Sequence, residues 1–338
     1  MTTSERIEAL DQLGTLIQDE VEGAFEPVIA QSIAENPWFT PQSVRAALLT
    51  ISDHYLSLDA LKKWVSDYEI KDDRQKRVGL VLAGNIPMVG LHDIICTFVA
   101  GHHLVIKYSS KDKVLLQFLI QQLHEIDARS KAYFTAVERV KDIDAVIATG
   151  GSTAATHFHY YFSKYPNLIR KNRSSVAILT GEESRADLAR LGEDIFRYFG
   201  LGCRNVSKLF VPKGYKFDTF YESIIDYQYV IDHNKYKNNY DYSHAIYLLG
   251  QHQFLTNNFL IVREDPTLSS RISCIHYEQY EDIDEVVSNL KEIEENLQCV
   301  ASLSPISGLP HTSIGNCQSP ALSDYADRVD TMAFLTGL

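Results

Sequence analysis

Apolar positions recur at two different periods along this chain. Near the N-terminus Ile7, Leu10, Leu13 and Ile17 repeat at the spacing of one helix face. Thr40-Pro41 supplies a cap and first-turn pair for a further helix. Residues 1–70 therefore read as helices, followed by a charged connector over 71–77. From residue 77 short apolar runs alternate with amphipathic stretches. The pattern predicts strands over 77–83, 104–107, 144–148 and 175–179, and helices over 87–100, 114–126, after the turn 150–153 to about 162, and over 183–199. The alternation restarts after Cys203, with strands over 208–211, 259–262 and near Ile275, and a helix around 284–297. The stretch 215–255 is rich in Tyr and His, and either lines a channel or fills a core.

Strand and helix in regular alternation predict an α/β fold with parallel sheets covered on both faces. In such sheets the loops that follow the strands gather at one edge, where ligands bind. Asn85, Lys107 to Ser110 and Gly150 to Thr153 follow successive strands and are expected to converge there. With 338 residues, 45% of them hydrophobic, the chain is long enough for two cores.

Charge narrows the function classes. Lys and Arg number 32 against 44 Asp and Glu, a net charge of −12, which argues against a nucleic-acid surface but leaves room for a local basic pocket. No stretch approaches about 18 uncharged apolar residues, so no membrane span is expected. The first twenty residues lack the basic start and apolar block of a secretory signal. The five cysteines (Cys96, Cys203, Cys274, Cys299, Cys317) are odd in number, widely spaced and without a CxxC pair. That usage fits a reduced cytoplasmic compartment, with most of them packed as small hydrophobes. Neither HExxH nor a Cys-His zinc pattern occurs among the twelve histidines and five cysteines, so no metal is expected.

Four short elements carry candidate chemistry. Cys203 lies in Phe199-Gly-Leu-Gly-Cys-Arg-Asn205, where two glycines let the backbone turn tightly and present a thiol. A cysteine attacking a carbonyl needs thiolate character and an oxyanion site beside it; a packed cysteine on a glycine turn is the competing reading. Asn85, after the first strand, either offers its amide to an oxyanion or caps the next helix. Lys107, Ser109 and Ser110, followed by Lys111 and Lys113, place cations and hydroxyls at a strand-to-helix turn. That composition suits ribose and phosphate, or equally a solvated turn. Gly151, Ser152 and Thr153 form a second such turn, open to a pyrophosphate yet neither GxGxxG nor a P-loop.

In order, strand-Asn-x-Pro, strand-Lys-x-Ser, strand-Gly-Ser-Thr and Gly-x-x-Cys resemble the aldehyde dehydrogenase superfamily. Within it, residues 83–89, 169–177, 198–208 and 320–327 resemble the long-chain acyl-CoA reductases of bacterial luminescence. The resemblance implies a Rossmann-type cofactor domain with the N-terminal helices over 1–202 and a second α/β catalytic domain over 203–320. It also implies that a segment over 321–338 packs back on the cofactor domain. It carries the nucleophile to Cys203, the oxyanion amide to Asn85 and the ribose contact to Lys107, with Ser109, Ser110, Gly151, Ser152 and Thr153 as the other cofactor-binding residues.

Two departures sharpen what the resemblance implies. Aldehyde-oxidising relatives use a glutamate to activate water, and residues 163–181 contain no acid; thioester chemistry does without that base. The acid that usually follows the ribose-binding lysine is Ser110 here, which removes repulsion toward a 2′-phosphate and favours NADPH, with Lys111 and Lys113 near enough in sequence to attract it. Thr156 replaces the usual last glycine of the phosphate loop. The implied activity is NADPH-dependent reduction of a fatty acyl-CoA, or of an acyl-protein, to the aldehyde. An acyl-protein synthetase is a candidate partner, homo-oligomerisation is open, and a shorter chain implies a reduced oligomerising extension. The alternatives are an acyl-phosphate reductase, an acyl transferase, or a non-catalytic nucleotide-binding or partner-docking protein.

Overall fold

The computed structural model describes the backbone of all 338 residues and every side chain except that of Ser152. The chain divides into two compact units, Met1–Asn172 with Pro320–Leu338, and Arg173–Ser319.

The first unit opens with helices α1 (Thr3–Glu20), α2 (Glu26–Glu35), α3 (Pro41–Tyr55) and α4 (Leu58–Val65). Thr2 and Glu5 close a reciprocal capping box on α1, whose Ile7, Leu10, Leu13 and Ile17 are buried as their spacing predicts. Thr40 caps α3 and Pro41 occupies its first turn. The sheet elements follow: β1 (Arg77–Val81), α5 (Leu91–Val99), β2 (His103–Lys107), α6 (Lys113–Ile126), β3 (Phe134–Ala136), β4 (Ala145–Thr149), α7 (Ser152–Phe162) and β5 (Asn167–Arg170). They form a parallel five-stranded sheet in the order β3-β2-β1-β4-β5. Its two edge strands escape the pattern reading because they are short and only partly buried. On one face Val81, Val105, Val146 and Ala148 pack with Phe158 and Phe162 of α7.

Residues 320–338 belong to this first unit. Trp64 Nε1 donates to Tyr325 Oη at 2.7 Å, and Tyr68 Oη donates to Asp330 Oδ2 at 2.8 Å. The final helix, α12 (Thr331–Thr336), comes after them in the chain and buries Met332 and Leu335.

The second unit contains β6 (Ser174–Ile178), α8 (Arg185–Phe196), β7 (Val206–Pro212), α9 (Asp218–Ser223), α10 (Asn234–Leu249), β8 (Leu255–Thr256), β9 (Ile261–Glu264), β10 (Cys274–Tyr280), α11 (Ile283–Glu292), β11 (Leu297–Ser302) and β12 (His311–Ser313). The strands run β12-β11-β6-β7-β10-β9-β8, and the β8–β9 pair is antiparallel. β6, the fourth strand of the first alternation by its pattern, pairs with β7 and β11 in this second sheet. A buried apolar run looks the same in either sheet; what places β6 here is a core in which Val176 and Ile178 meet Leu297, Val300 and the α11 residues Val286 and Leu290.

The Tyr-rich stretch is largely helical. Tyr236, Tyr240 and Tyr247 are buried along α10, and Tyr240 and Tyr247 pack on Ile261 and Cys274, so this part fills a core. The acidic stretch 277–285 begins as the end of β10, where Lys208 Nζ lies 2.7 Å from Glu278. Among the described residues no helix is long and apolar enough to cross a membrane.

Candidate active site

The loops at the carboxyl ends of β1 and β2 are pressed together. After β1 the chain runs through Gly84-Asn85-Ile86-Pro87, and α5 begins only at Leu91 with Gly90 as its N-cap. Asn85 is therefore not a helix cap, and its residue is exposed. A methyl group on Gly84 would stand 2.5 Å from Ser109 Oγ, so glycine is what allows this loop to lie on the Lys107–Ser110 turn. Asn36 ties the two loops from outside, its Nδ2 donating to Lys111 O at 3.2 Å and reaching Gly84 O at 3.5 Å. Asp112, buried at the start of α6, faces the backbone amides of Met88 and Val89. Burial pushes its carboxyl well above the usual carboxylate range, and those two amides pull against it. Neither Asn36 nor Asp112 stands out in sequence, because both act on loops remote in the chain.

Lys107 ends β2, is exposed, and lines an open cavity of about 800 Å³. Around it stand Arg139, Lys141 and Lys164, the acids Glu138 and Asp142, and the α7 residues His157, Phe158 and Tyr161. Ser110 is exposed beside Lys107, whereas Ser109 is partly buried under Gly84 and its Oγ accepts from Lys111 N at 3.3 Å. Lys113 lies 3.8 Å from Glu35, so part of its charge is already answered. Gly151 is the N-cap of α7 at the end of β4, with Thr153 exposed in the first turn. The Ser152 side chain lies outside the described residues.

In the second unit Cys203 sits on a strained turn between α8 and β7. Tyr198, Phe199 and Gly200 take successive left-handed conformations, with φ of 53°, 58° and 75°. Such geometry costs about 1–2 kcal/mol for each bulky residue and persists only where neighbours hold it. Asn205 is the main clamp. Its Nδ2 donates among the carbonyls of Asp194, Ile195 and Arg197 at 3.1, 3.3 and 2.8 Å, which satisfies the end of α8, and its Oδ1 accepts from Gly202 N at 2.8 Å. Ser175 Oγ, from β6, donates to Cys203 O at 2.8 Å. Cys203 is exposed, and the other four cysteines are buried. Asn205 could have been suspected as a polar residue wedged between the cysteine and a buried strand; Ser175 carries no comparable signal.

Asp194 supports the same region from α8. Its carboxylate is fully buried and accepts from Gly315 N at 2.6 Å and Cys317 N at 2.9 Å. Burial nonetheless pushes its carboxyl up to about 6, against the pull of those two amides. A carboxyl raised on folding binds its proton more tightly in the folded chain than in the unfolded one. The stability it confers is complete below about pH 4 and is lost as pH rises through about 6, a change of up to about 3 kcal/mol. Urea unfolding from pH 4 to 7 is expected to lose this slope in Asp194→Asn; parallel curves for the variant and the parent would contradict it.

The fold is that of aldehyde dehydrogenases. The chain is similar to aldehyde dehydrogenase 21 from Physcomitrella patens in complex with the reaction product succinate, at 12% identity and a TM-score of 0.70, over 100% of this chain and 84% of that one. It is similar to lactaldehyde dehydrogenase from Escherichia coli at 13% identity and a TM-score of 0.69, over 93% and 79%. An NADP dependent enzyme from E. coli gives 12% identity and a TM-score of 0.67, over 93% and 78%. No curated protein matches by sequence. The family model for acyl-CoA reductase (LuxC) matches residues 37–224, more than half of the chain and a span that holds Asn85, Lys107 and Cys203. This chain belongs to the LuxC acyl-CoA reductase family, and is an oxidoreductase of acyl and aldehyde groups.

Proposed function

We propose that this chain reduces a fatty acyl-CoA to the aldehyde through an acyl-enzyme on Cys203, with NADPH as the reductant. The observation that carries the reading is the Cys203 turn: an exposed thiol on a strained, clamped backbone, in a chain whose other cysteines are buried. The Cys203 thiolate attacks the acyl carbonyl, and the Asn85 side-chain amide and the Cys203 backbone N–H stabilise the oxyanion. Coenzyme A departs as its thiolate and takes a proton from solvent, leaving the acyl group as a thioester on Cys203. The reduced nicotinamide supplies the hydride equivalent when bound. Cys203 then leaves as thiolate, the aldehyde is released and the enzyme is restored.

The cofactor reading is supported by the donor set of the Lys107 cavity. A dinucleotide needs a cation near its ribose and phosphates, an apolar wall for its base and a helix N-terminus for its pyrophosphate. Lys107, Phe158 with Tyr161, and the start of α7 at Gly151, Ser152 and Thr153 match these needs. Ser110 takes the ribose side, and Ser109 shapes the turn from beneath. For the 2′-phosphate the candidate cations are Arg139 and Lys141, which line the cavity, beside Lys111 and Lys113, the latter 3.8 Å from Glu35.

Cofactor oxidation with a series of acyl-CoAs tests the reading, run with NADPH and with NADH. NADPH is expected to be preferred, and Arg139→Ala to lower that preference about 10- to 100-fold, the equivalent of losing a hydrogen bond to a charged group at about 1.5–3 kcal/mol. Equal use of both cofactors by the parent would overturn the NADPH assignment. Absence of acyl-CoA-dependent oxidation with either would overturn the reductase.

A further inference from the structure

Beneath the Cys203 turn lies a buried polar cluster that the proposed chemistry does not use. Cys299 on β11 and Cys317 in the loop beyond β12 are 1% and 0% exposed. Arg204 Nη1 donates to Cys299 Sγ at 3.3 Å. The Cys317 thiol and the hydroxyls of Thr312 and Ser175 also turn toward that sulfur. Ser175 gives its single hydroxyl proton to Cys203 O at 2.8 Å. The peptide that joins Cys203 to Arg204 is thus gripped twice. Its carbonyl is held by Ser175, which borders Cys299, and the side chain that follows it is held by the Cys299 sulfur.

We propose that Cys299 is a positioning residue for the nucleophile, its sulfur anchoring Arg204 so that the Cys203 thiol is held in a reactive orientation. The inference rests on the reading of Cys203 as the nucleophile. Its chemistry is an anion held by an arginine. The hydrogen bond from Cys317 and then the Arg204 guanidinium pull the Cys299 thiol well below its ordinary range, against its burial. Cys317 is pushed the other way by the same contact and keeps its proton. Asp194 stands behind Cys317, and its carboxylate likewise disfavours a Cys317 anion. A small hydrophobe, the common role of a buried cysteine, would need none of these partners.

The test is the rate at which iodoacetamide alkylates Cys203 at pH 7, followed by peptide mass spectrometry on the full chain without substrate or cofactor. Cys299→Ser keeps the size but loses the anion, and is expected to slow alkylation at least fivefold. Cys299→Asp restores an anionic partner for Arg204 and is expected to remain within twofold of the parent, a rescue that a purely packing role would not produce. Arg204→Gln approaches the same contact from its other side and is expected to match Cys299→Ser, which covers the case of a Cys299 variant that does not fold. Parent-like alkylation in Cys299→Ser and Arg204→Gln would overturn the proposal, as would Cys299→Asp alkylating as slowly as Cys299→Ser. Because labelling needs no turnover, a parent that alkylates normally but oxidises no cofactor with acyl-CoA would count against the reductase alone.

Discussion

Cys203→Ala is expected to lower acyl-CoA-dependent cofactor oxidation by at least about a thousandfold, with no covalent acyl adduct left on the protein. The size of the effect follows from the role. Removing a nucleophile removes a whole pathway rather than one contact, and what remains is the rate supported by binding and oxyanion contacts alone. No neighbouring thiol can stand in, because Cys96, Cys274, Cys299 and Cys317 are buried. Cys203→Ser should be nearly as impaired, since a hydroxyl is far less ionised near neutral pH than a thiol on this turn. Intact-mass measurement after mixing with acyl-CoA, without cofactor, separates the outcomes. The parent should gain one acyl mass and Cys203→Ala none. An adduct that survives in Cys203→Ala would place the nucleophile elsewhere. An adduct in the parent without later cofactor oxidation would make the chain an acyl transferase.

The largest effect on stability is expected from Asp93→Ala. Arg170 closes β5, and its Nη1 donates to both oxygens of Asp93 on α5 at 2.7 Å, while its Nη2 donates to Thr331 Oγ1 at 2.7 Å. The two charged side chains are 5% and 6% exposed. Burial works against the Arg170 charge, and the Asp93 carboxylate outweighs it, so that the guanidinium is held above its ordinary value. Removing Asp93 strands the buried guanidinium without its carboxylate partner, leaving Thr331 Oγ1 as its hydrogen-bond acceptor. Breaking a buried pair in this way costs about 3–5 kcal/mol. For a unit of this size that corresponds to a fall in melting temperature of about 6–20 °C. Replacing the pair together, by Asp93→Leu with Arg170→Met, should cost less than either single change because no charge is stranded. A loss below about 1 kcal/mol in Asp93→Ala would mean that water reaches Arg170.

Much of the architecture was legible before any coordinates. Helices α1 and α3 follow from an apolar stripe and a capping pair, and β1, β2, β4 and β7 from buried runs that end near Gly or Lys. Such signals are local: the period of the side chains and the chemistry of the cap lie within one stretch of chain. The order of Asn85, Lys107, Gly150-Gly151 and Cys203 carried the family resemblance, and the LuxC match spans those positions.

The sequence by itself determined the α/β class and the family, and it supplied the short list of residues proposed to carry the chemistry. Tertiary structure decided which sheet β6 joins, because a buried strand has the same composition wherever it pairs. It decided that Asn85 is not a helix cap, since α5 begins only at Leu91. It decided that the stretch 215–255 packs buried tyrosines along α10, since its helical face is set by Ile261 and Cys274 from strands further along the chain. And it assembled the supports of each candidate turn within its own unit: Asn36 and Gly84 around the Asn85 loop, Asn205 and Ser175 around the Cys203 turn, and Cys299 with Cys317 below the latter. Those contacts join residues up to about a hundred positions apart, and no local periodicity encodes them; their donors and acceptors meet only once each unit has folded.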